Sequence, residues 1–122
     1  MKVLIVDDYG TMRRIIRDLL ARIGYEDVDE ASTGPEALAK LREVHYGLVI
    51  SDWQMEPMTG YDLLREIRAD ENLRQTPFII VTADAQLDQL IATRHASLDE
   101  CLIKPFSAAA LNDKINGTVT RH

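Results

Sequence analysis

The stretch "LVISD", residues 48–52, joins a continuous apolar run to a carboxylate, and it decides the fold class. Leu48, Val49 and Ile50 do not alternate with polar residues, which is typical of a strand covered on both faces of a parallel sheet. Asp52 follows almost at once. Because an ionised carboxylate at the edge of an apolar layer loses hydration, it needs a partner, a metal or a reaction to compensate it. The end of this strand is therefore the first candidate for a functional site.

Similar apolar runs recur along the chain and predict the other strands of the sheet. They are Val3–Val6, Phe78–Val81 and Cys101–Ile103, with a weaker and more polar run near Tyr25 to Ala31. Pro77 marks the entry to the fourth strand, since proline is tolerated at the start of a strand and not in its middle. We expect five strands in one sheet.

Five helical patterns alternate with these strands. Apolar residues recur at helical spacing in each: Ile15, Ile16, Leu19, Leu20 and Ile23; Ala37, Leu38 and Leu41; Leu63, Leu64 and Ile67; Leu87, Leu90 and Ile91; Leu111 and Ile115. Gly24 is expected to close the first helix, and Thr33 with Pro35 to begin the second. Alternating strands and helices predict a doubly wound α/β fold with right-handed crossovers.

Length and charge restrict the classes of function. The 122 residues, 46% of them hydrophobic, suffice for one core, so we expect a single domain spanning residues 1–122. A net charge of −6 disfavours direct binding to nucleic acid or to an anionic membrane. The lone Cys101 cannot form an internal disulfide, and the start "MKVLIVDD" is too short for a signal-peptide core or a membrane span. The expected location is the cytoplasm, without membrane insertion.

In doubly wound folds the carboxyl ends of the strands carry the chemistry. The residues at those ends are Asp7 and Asp8 after the first strand, Asp52 after the third, Thr82 after the fourth and Lys104 after the fifth. Three carboxylates at one edge repel one another, and a hard divalent cation such as Mg²⁺ neutralises them. Asp7 or Asp8, Asp52 and the main-chain carbonyl of Gln54 are the candidate ligands, with Asp8 dominant and Asp7 acting through water.

The same edge can hold three anionic oxygens, one on the cation, one on the Lys104 ammonium and one on the Thr82 hydroxyl. Such a pocket predicts phosphoryl transfer, which depends on positioning and charge neutralisation. An aspartate can itself be the nucleophile and form an aspartyl phosphate. Asp52 is the best candidate, because it ends the middle strand between the acidic pair and the other two residues.

Four stretches, "LIVDD", "LVISDWQM", "IIVTA" and "LIKPF", resemble the signature stretches of response-regulator receiver domains, most closely the CheY-like single-domain type. The separations between Asp8, Asp52, Thr82 and Lys104 are also similar to that family's, and the resemblance covers essentially the whole chain. It implies a flavodoxin-like fold with strand order 2-1-3-4-5. It further implies that Asp52 accepts a phosphoryl group from the phosphohistidine of a sensor histidine kinase or a phosphotransfer protein, that Mg²⁺ is needed, and that the aspartyl phosphate hydrolyses itself slowly.

The resemblance also implies a conformational switch. On phosphorylation Thr82 would move to bond a phosphate oxygen, and a turn at Lys104-Pro105, with a cis peptide, would hold the ammonium in place. Small shifts of this kind would change a face formed by the fourth helix, fifth strand and fifth helix. The output partner would bind that face.

Several residues depart from the family's pattern. Cys101 stands where an aromatic switch residue is usual, so coupling of Thr82 to the surface is expected to use other residues or to be weaker. Glu56 displaces the usual proline by one position and adds a carboxylate near the cation. Gln54 and Asp84 are expected to line the path of an attacking water. For Ser97-Leu98, in place of the usual Gly-Ala, the sequence offers no functional account.

Three other functions compete with a switch. A magnesium-dependent phosphohydrolase using an aspartyl phosphate typically has a second aspartate two residues after the nucleophile, where this chain has Gln54. An FMN or nucleotide binder of the same fold should have a Ser/Thr/Gly-rich loop after the first strand, where this chain has Asp7 and Asp8. A receiver without its own output, acting as a phosphate sink, a relay or an unphosphorylated scaffold, stays open.

Overall fold

The architecture comes from a computed structural model, which describes residues 1–83 and 100–119. Five parallel strands form one sheet in the order β2-β1-β3-β4-β5. The strands are β1 (Val3–Val6), β2 (Val28–Ala31), β3 (Leu48–Asp52), β4 (Phe78–Thr82) and β5 (Glu100–Ile103). The predicted doubly wound, flavodoxin-like sheet and its strand order are thus confirmed.

Helices flank the sheet in alternation with the strands. They are α1 (Gly10–Arg22), α2 (Gly34–Glu43), α3 (Gly60–Ala69) and a C-terminal helix (Ala108–Val119). Within the described residues there are thus four helices rather than the predicted five. The predicted fourth helix, with Leu87, Leu90 and Ile91, lies outside the described residues. None of the helices in residues 1–83 and 100–119 has the length and apolarity needed to cross a membrane.

Two apolar clusters cover the two faces of the sheet. Leu4 and Val6 of β1 point to the cluster beneath α2 and α3, whereas Val3 and Ile5 point to the cluster beneath α1 and the C-terminal helix. All four side chains are fully buried, each worth about 1.5–3 kcal/mol relative to exposure. This two-sided burial explains why the strands are continuously apolar.

Local signals fix the ends of several helices, and those at Gly24, Thr33 and Pro35 were predicted from the sequence. The Thr33 side chain accepts a hydrogen bond from the Glu36 amide at 3.2 Å, with Pro35 in the first turn of α2. Gly24 follows α1 with a φ of 94°, a left-handed conformation that favours glycine. A capping box formed by Thr59 and Asp62 begins α3.

The first predicted helical stripe is partly wrong. Ile15 is 46% exposed, whereas Ile16 is 2% exposed and Leu20 is fully buried. Neighbouring residues point about 100° apart around a helix, so the face that buries Ile16 turns Ile15 toward solvent. The second strand is also shorter than the apolar run near Tyr25 to Ala31, because the Tyr25 amide donates to the Leu20 carbonyl and belongs to the turn after α1.

Candidate functional site

The carboxyl ends of the central strands meet at one edge of the sheet. Asp52 of β3 is in register with Val81 of β4, so Thr82 lies one residue beyond it. The Lys104 amide donates to the Thr82 carbonyl at 2.8 Å, which joins the end of β5 to β4. Asp7 follows β1 on the other side of β3, where its amide donates to the Ala31 carbonyl at 3.1 Å. Parallel pairing therefore gathers the predicted polar residues along one rim.

Three carboxylates converge at this rim. Asp7, Asp8 and Asp52 each offer one oxygen, and these oxygens all lie within 4.8 Å of one another. Asp7 is buried, Asp52 is partly buried and Asp8 is exposed, so the cluster runs from the interior to solvent. We call these three residues the carboxylate cluster.

Burial changes the protonation of the two inner members of the carboxylate cluster. It raises the pKa of Asp7 to about 6, with the Tyr9 amide opposing the shift and the Asp52 charge adding to it. Burial also raises the pKa of Asp52, against the opposing charge of Lys104. Both shifts mean that extra positive charge would stabilise the ionised cluster.

One oxygen of Asp7 is an orphan. Its Oδ1 accepts a hydrogen bond from the Tyr9 amide at 2.9 Å, but its buried Oδ2 has no hydrogen-bond partner within residues 1–83 and 100–119. A buried acceptor in this state is costly unless a ligand satisfies it. Three carboxylates with one orphaned oxygen are a donor set that fits a hard divalent cation such as Mg²⁺.

Lys104 is the cation of the site in the described part of the chain. Its Nζ lies 3.2 Å from Asp52 Oδ1 and 3.9 Å from Asp7 Oδ2. The Lys104-Pro105 peptide is cis, as the resemblance implied. One ammonium does not balance three carboxylates, so the site keeps a negative charge that a dication would offset.

Thr82 and Gln54 occupy different surroundings. Thr82 is 4% exposed at the end of β4, beside the phosphoacceptor candidate. Gln54 is exposed in the loop that joins β3 to α3. The ligand role of Gln54 and the phosphate-binding role of Thr82 stay predictions.

A tight contact between α3 and the end of β3 could not be predicted from the sequence. The Gly60 amide donates to the Trp53 carbonyl at 2.9 Å, and a Cβ added to Gly60 would collide with the Asp52 carbonyl oxygen. The Trp53 ring packs on Tyr61 with centroids 5.7 Å apart, at 43°. Glycine is thus required where α3 approaches the backbone of Asp52.

A second contact was also missed from the sequence. Arg13 Nη1 donates to the Asp7 carbonyl at 2.6 Å, and Glu30 holds the same guanidinium from β2. An arginine in a helix and a glutamate 17 residues away are ordinary features of a sequence, so no local signal pointed to this pair.

The structure describes some of the residues that depart from the family's pattern and not others. Cys101 is 8% exposed in β5, where it is in register with Ile80 and acts as a small core residue. Glu56 and Pro57 are both exposed, and the peptide between them is cis. Asp84 and the Ser97-Leu98 pair lie outside the described residues.

Comparison with known proteins defines the class. The family model of the response regulator receiver domain matches residues 3–116. The chain therefore belongs to the response-regulator receiver domains, which are signalling switches rather than classical enzymes.

Individual relatives narrow the similarity to the CheY-like type. The chain is 46% identical to the chemotaxis protein CheY of Pseudomonas aeruginosa over 115 residues, which cover 94% of this chain and 93% of the relative. It is 43% identical over 116 residues to the chemotaxis protein CheY-3 of Vibrio cholerae, covering 95% and 89%. This chain is thus a CheY-like receiver domain.

Solved structures agree with this fold. The receiver domain of a sensor histidine kinase from Pseudomonas aeruginosa is 29% identical, with a TM-score of 0.86 and coverage of 98% and 97%. In that protein a magnesium ion is coordinated in the active-site cleft. CheY4 of Vibrio cholerae is 30% identical, with a TM-score of 0.83 and coverage of 94% and 95%.

Proposed function

We propose that this chain is a single-domain response regulator whose protein-binding face is switched by phosphorylation of Asp52. The phosphoryl donor would be a sensor histidine kinase or a phosphotransfer protein. The observation that carries the proposal is the carboxylate cluster, with oxygens within 4.8 Å of one another, together with the Lys104 ammonium 3.2 Å from Asp52.

Asp52 would act as the nucleophile. One of its oxygens attacks phosphorus, the bond from phosphorus to the donor's imidazole nitrogen breaks, and the imidazole leaves with the electron pair. Asp52 is suited to this role because it is partly buried and still reachable from solvent. Lys104 orients one of its oxygens, and would hold a phosphoryl oxygen after transfer.

Asp7, Asp8 and Asp52 would hold Mg²⁺, with the Gln54 carbonyl as a further ligand. When bound, Mg²⁺ supplies the positive charge that offsets the carboxylates and the incoming phosphoryl oxygens. The buried Thr82 hydroxyl would bind a phosphoryl oxygen after transfer and carry the signal away from Asp52.

Self-catalysed hydrolysis of the aspartyl phosphate would return the switch to its resting state. Gln54 stands where a phosphohydrolase would have its general acid, and an amide cannot donate a proton as a carboxylic acid does. This favours a slow switch over an enzyme with rapid turnover.

A second candidate function is a phosphate sink or relay. The observation that favours it is the buried Cys101 at the aromatic switch position, since a thiol has no ring that moves between buried and exposed rotamers. A partner-binding assay with and without phosphorylation separates the two, because a sink or relay gains no affinity for an output protein.

The partner-binding face would combine β5, the C-terminal helix and the predicted helix that lies outside the described residues. The location of the protein would be the cytoplasm. The net charge of −6 favours a protein as the output partner over nucleic acid or an anionic membrane.

Phosphorylation tests this proposal directly. The chain is incubated with Mg²⁺ and acetyl phosphate, and the adduct is measured by intact-protein mass spectrometry. We expect an acid-stable, base-labile phosphoryl adduct that is absent in Asp52→Asn and retained in Asp18→Asn, whose carboxylate is exposed on α1. An adduct retained in Asp52→Asn would refute the assignment.

Lys104 has a separable role in the same proposal. We expect Lys104→Ala to keep the adduct on Asp52 and to lose the change in partner affinity, because the ammonium links the phosphoryl group to the end of β5. A pull-down of bound proteins, with and without phosphodonor, measures this change. A phosphorylation-dependent partner that still binds the Lys104→Ala variant would contradict the role.

A further inference from the structure

A charged network connects α1 to the carboxylate cluster. Glu30 of β2 accepts from Arg13 Nε on one oxygen and from Arg17 Nε on the other, each at 2.9 Å. Arg13 Nη1 also donates to the main-chain carbonyl of Asp7 at 2.6 Å. The planar guanidinium of Arg13 is thus held at two of its nitrogens, which fixes its orientation.

Asp7 is held at three of its four polar atoms. Its amide donates to the Ala31 carbonyl at 3.1 Å, its carbonyl accepts from Arg13, and its Oδ1 accepts from the Tyr9 amide at 2.9 Å. The remaining atom is the orphaned Oδ2, which lies 3.9 Å from Lys104 Nζ. Each of these bonds therefore helps to aim Oδ2 at the cluster.

We propose that Arg13 is a positioning residue for the cation site. Its guanidinium, oriented by Glu30, fixes the peptide that follows β1, and thereby fixes the side chain of Asp7 within the carboxylate cluster. This inference rests on the proposed function, in which that cluster holds Mg²⁺. In this role Arg13 and Glu30 do not bind the metal themselves but orient its ligand Asp7.

The contact acts through geometry rather than through charge. Arg13 donates to a neutral carbonyl rather than to a carboxylate of the cluster, and its guanidinium pairs with the Glu30 carboxylate at 2.9 Å. A lysine at position 13 keeps the charge, but it lacks the rigid fork that reaches Asp7 and Glu30 together. A charge-conserving substitution therefore isolates the hydrogen bond.

Arg17 offers a matched control on the same helix. It uses the same glutamate at the same 2.9 Å distance, but its Nη2 donates to the Val28 carbonyl at 2.9 Å. Val28 is in register with Val3, at the opposite end of β1 from the carboxylate cluster. Substitution of Arg17 thus disturbs the network without touching Asp7.

The test compares Arg13→Lys with Arg17→Lys in the full chain. Mg²⁺ affinity is measured by isothermal titration calorimetry, the stability by urea unfolding, and the exchange of the Tyr9 amide by NMR in metal-free protein. We expect Arg13→Lys to weaken Mg²⁺ binding about tenfold and to speed exchange at Tyr9. Arg17→Lys should leave both at wild-type values, although both variants lose similar stability.

Arg13→Gln serves as the second variant and should weaken binding by the same factor as Arg13→Lys. The inference would be overturned if Arg13→Lys kept the wild-type Mg²⁺ affinity and the wild-type exchange rate at Tyr9. It would also be overturned if Arg17→Lys weakened Mg²⁺ binding and sped Tyr9 exchange as much as Arg13→Lys does. A loss confined to Arg13→Gln would show an effect of charge and would also overturn it. If the wild-type chain binds no Mg²⁺, the proposed function fails instead, and the Tyr9 exchange rate still decides whether Arg13 positions Asp7.

Discussion

Asp7 lies in an environment that opposes its own negative charge. Its side chain is 1% exposed, and burial raises its pKa to about 6 from an ordinary value of 3.8. A carboxylic acid that is harder to ionise in the folded state than in the unfolded state stabilises the fold only while protonated. That contribution is fully present below pH 3.8 and is lost as the pH rises through about 6.

Asp7→Asn should therefore stabilise the metal-free protein at neutral pH. We expect the free energy of unfolding to increase by about 1–3 kcal/mol at pH 7.5, because an amide removes the buried charge. At pH 4 the gain should be much smaller, since the wild-type carboxyl is then protonated. Urea unfolding at the two pH values measures the difference.

Asp8→Asn is the control for this prediction, because Asp8 is the exposed member of the cluster. It should gain less stability at pH 7.5 than Asp7→Asn does. If Asp7→Asn is instead less stable than the wild type at pH 7.5 without metal, the ionised Asp7 must stabilise the fold, and the burial argument is wrong.

At the scale of elements, three helices begin with a glycine in different surroundings. A Cβ at Gly10 of α1 would lie 3.4 Å from Arg13 Nη2, an ordinary van der Waals distance. At Gly34 of α2 it would lie 2.6 Å from the Met58 Sδ, and at Gly60 of α3 it would meet main-chain atoms of Asp52 and Trp53. Side-chain ends can move aside, whereas the backbone at the end of a buried strand cannot do so cheaply.

Gly60→Ala should therefore be the most damaging of the three alanine substitutions. We expect a loss of about 1–3 kcal/mol in the free energy of unfolding for Gly60→Ala, typical of an overpacked contact. Gly10→Ala should be neutral or slightly stabilising, because alanine restricts the unfolded chain. Gly34→Ala should fall between them.

Urea unfolding of the three variants at one pH gives this ranking. A Gly60→Ala protein as stable as Gly10→Ala would show that α3 moves away from β3 without cost. In that case the close approach of Gly60 to Asp52 would not constrain the site.

The elements that the sequence predicted well are those fixed by local rules. Continuous apolar runs gave β1, β3 and β4, because burial on both faces leaves no polar alternative. Ile15 was wrongly included in the apolar stripe of α1, since two adjacent isoleucines do not show which one faces the sheet. The hydrogen bond from Arg13 to the Asp7 carbonyl could not be predicted from the sequence, because it depends on how α1 packs beside β2.

At the scale of the whole molecule, the parallel sheet brings together charged residues that lie far apart in the sequence. The residues at the ends of β1, β3 and β5 are distant in the chain, and parallel pairing brings their side chains to one rim. The rule that strand ends carry the chemistry was enough to predict Asp7, Asp8, Asp52 and Lys104 as neighbours. This rule could not predict that Asp7 is buried and Asp8 exposed, because burial depends on the direction in which the chain leaves β1.

Mg²⁺ should stabilise the entire fold through this rim. A ligand that binds the folded chain alone stabilises it by about 2.7 kcal/mol at a hundred times its Kd. We expect the Tm to rise with MgCl₂ concentration in the wild type, and to rise much less in Asp52→Asn. Scanning calorimetry in MgCl₂, compared with NaCl at the same ionic strength, separates specific binding from screening.

If the wild-type Tm responds equally to MgCl₂ and NaCl, the proposal that the carboxylate cluster binds Mg²⁺ is wrong. The carboxylate cluster would then be balanced by Lys104 and solvent alone.

Trp53 has a practical use that follows from its position. It is the single tryptophan of the chain, it comes directly after Asp52, and its ring rests against Tyr61. Indole emission responds to the local electric field, so any gain or loss of charge on the neighbouring carboxylate should alter the fluorescence of the unlabelled protein. Trp53 fluorescence can therefore report on charge changes at Asp52, and stopped-flow mixing can follow them in real time without an added dye.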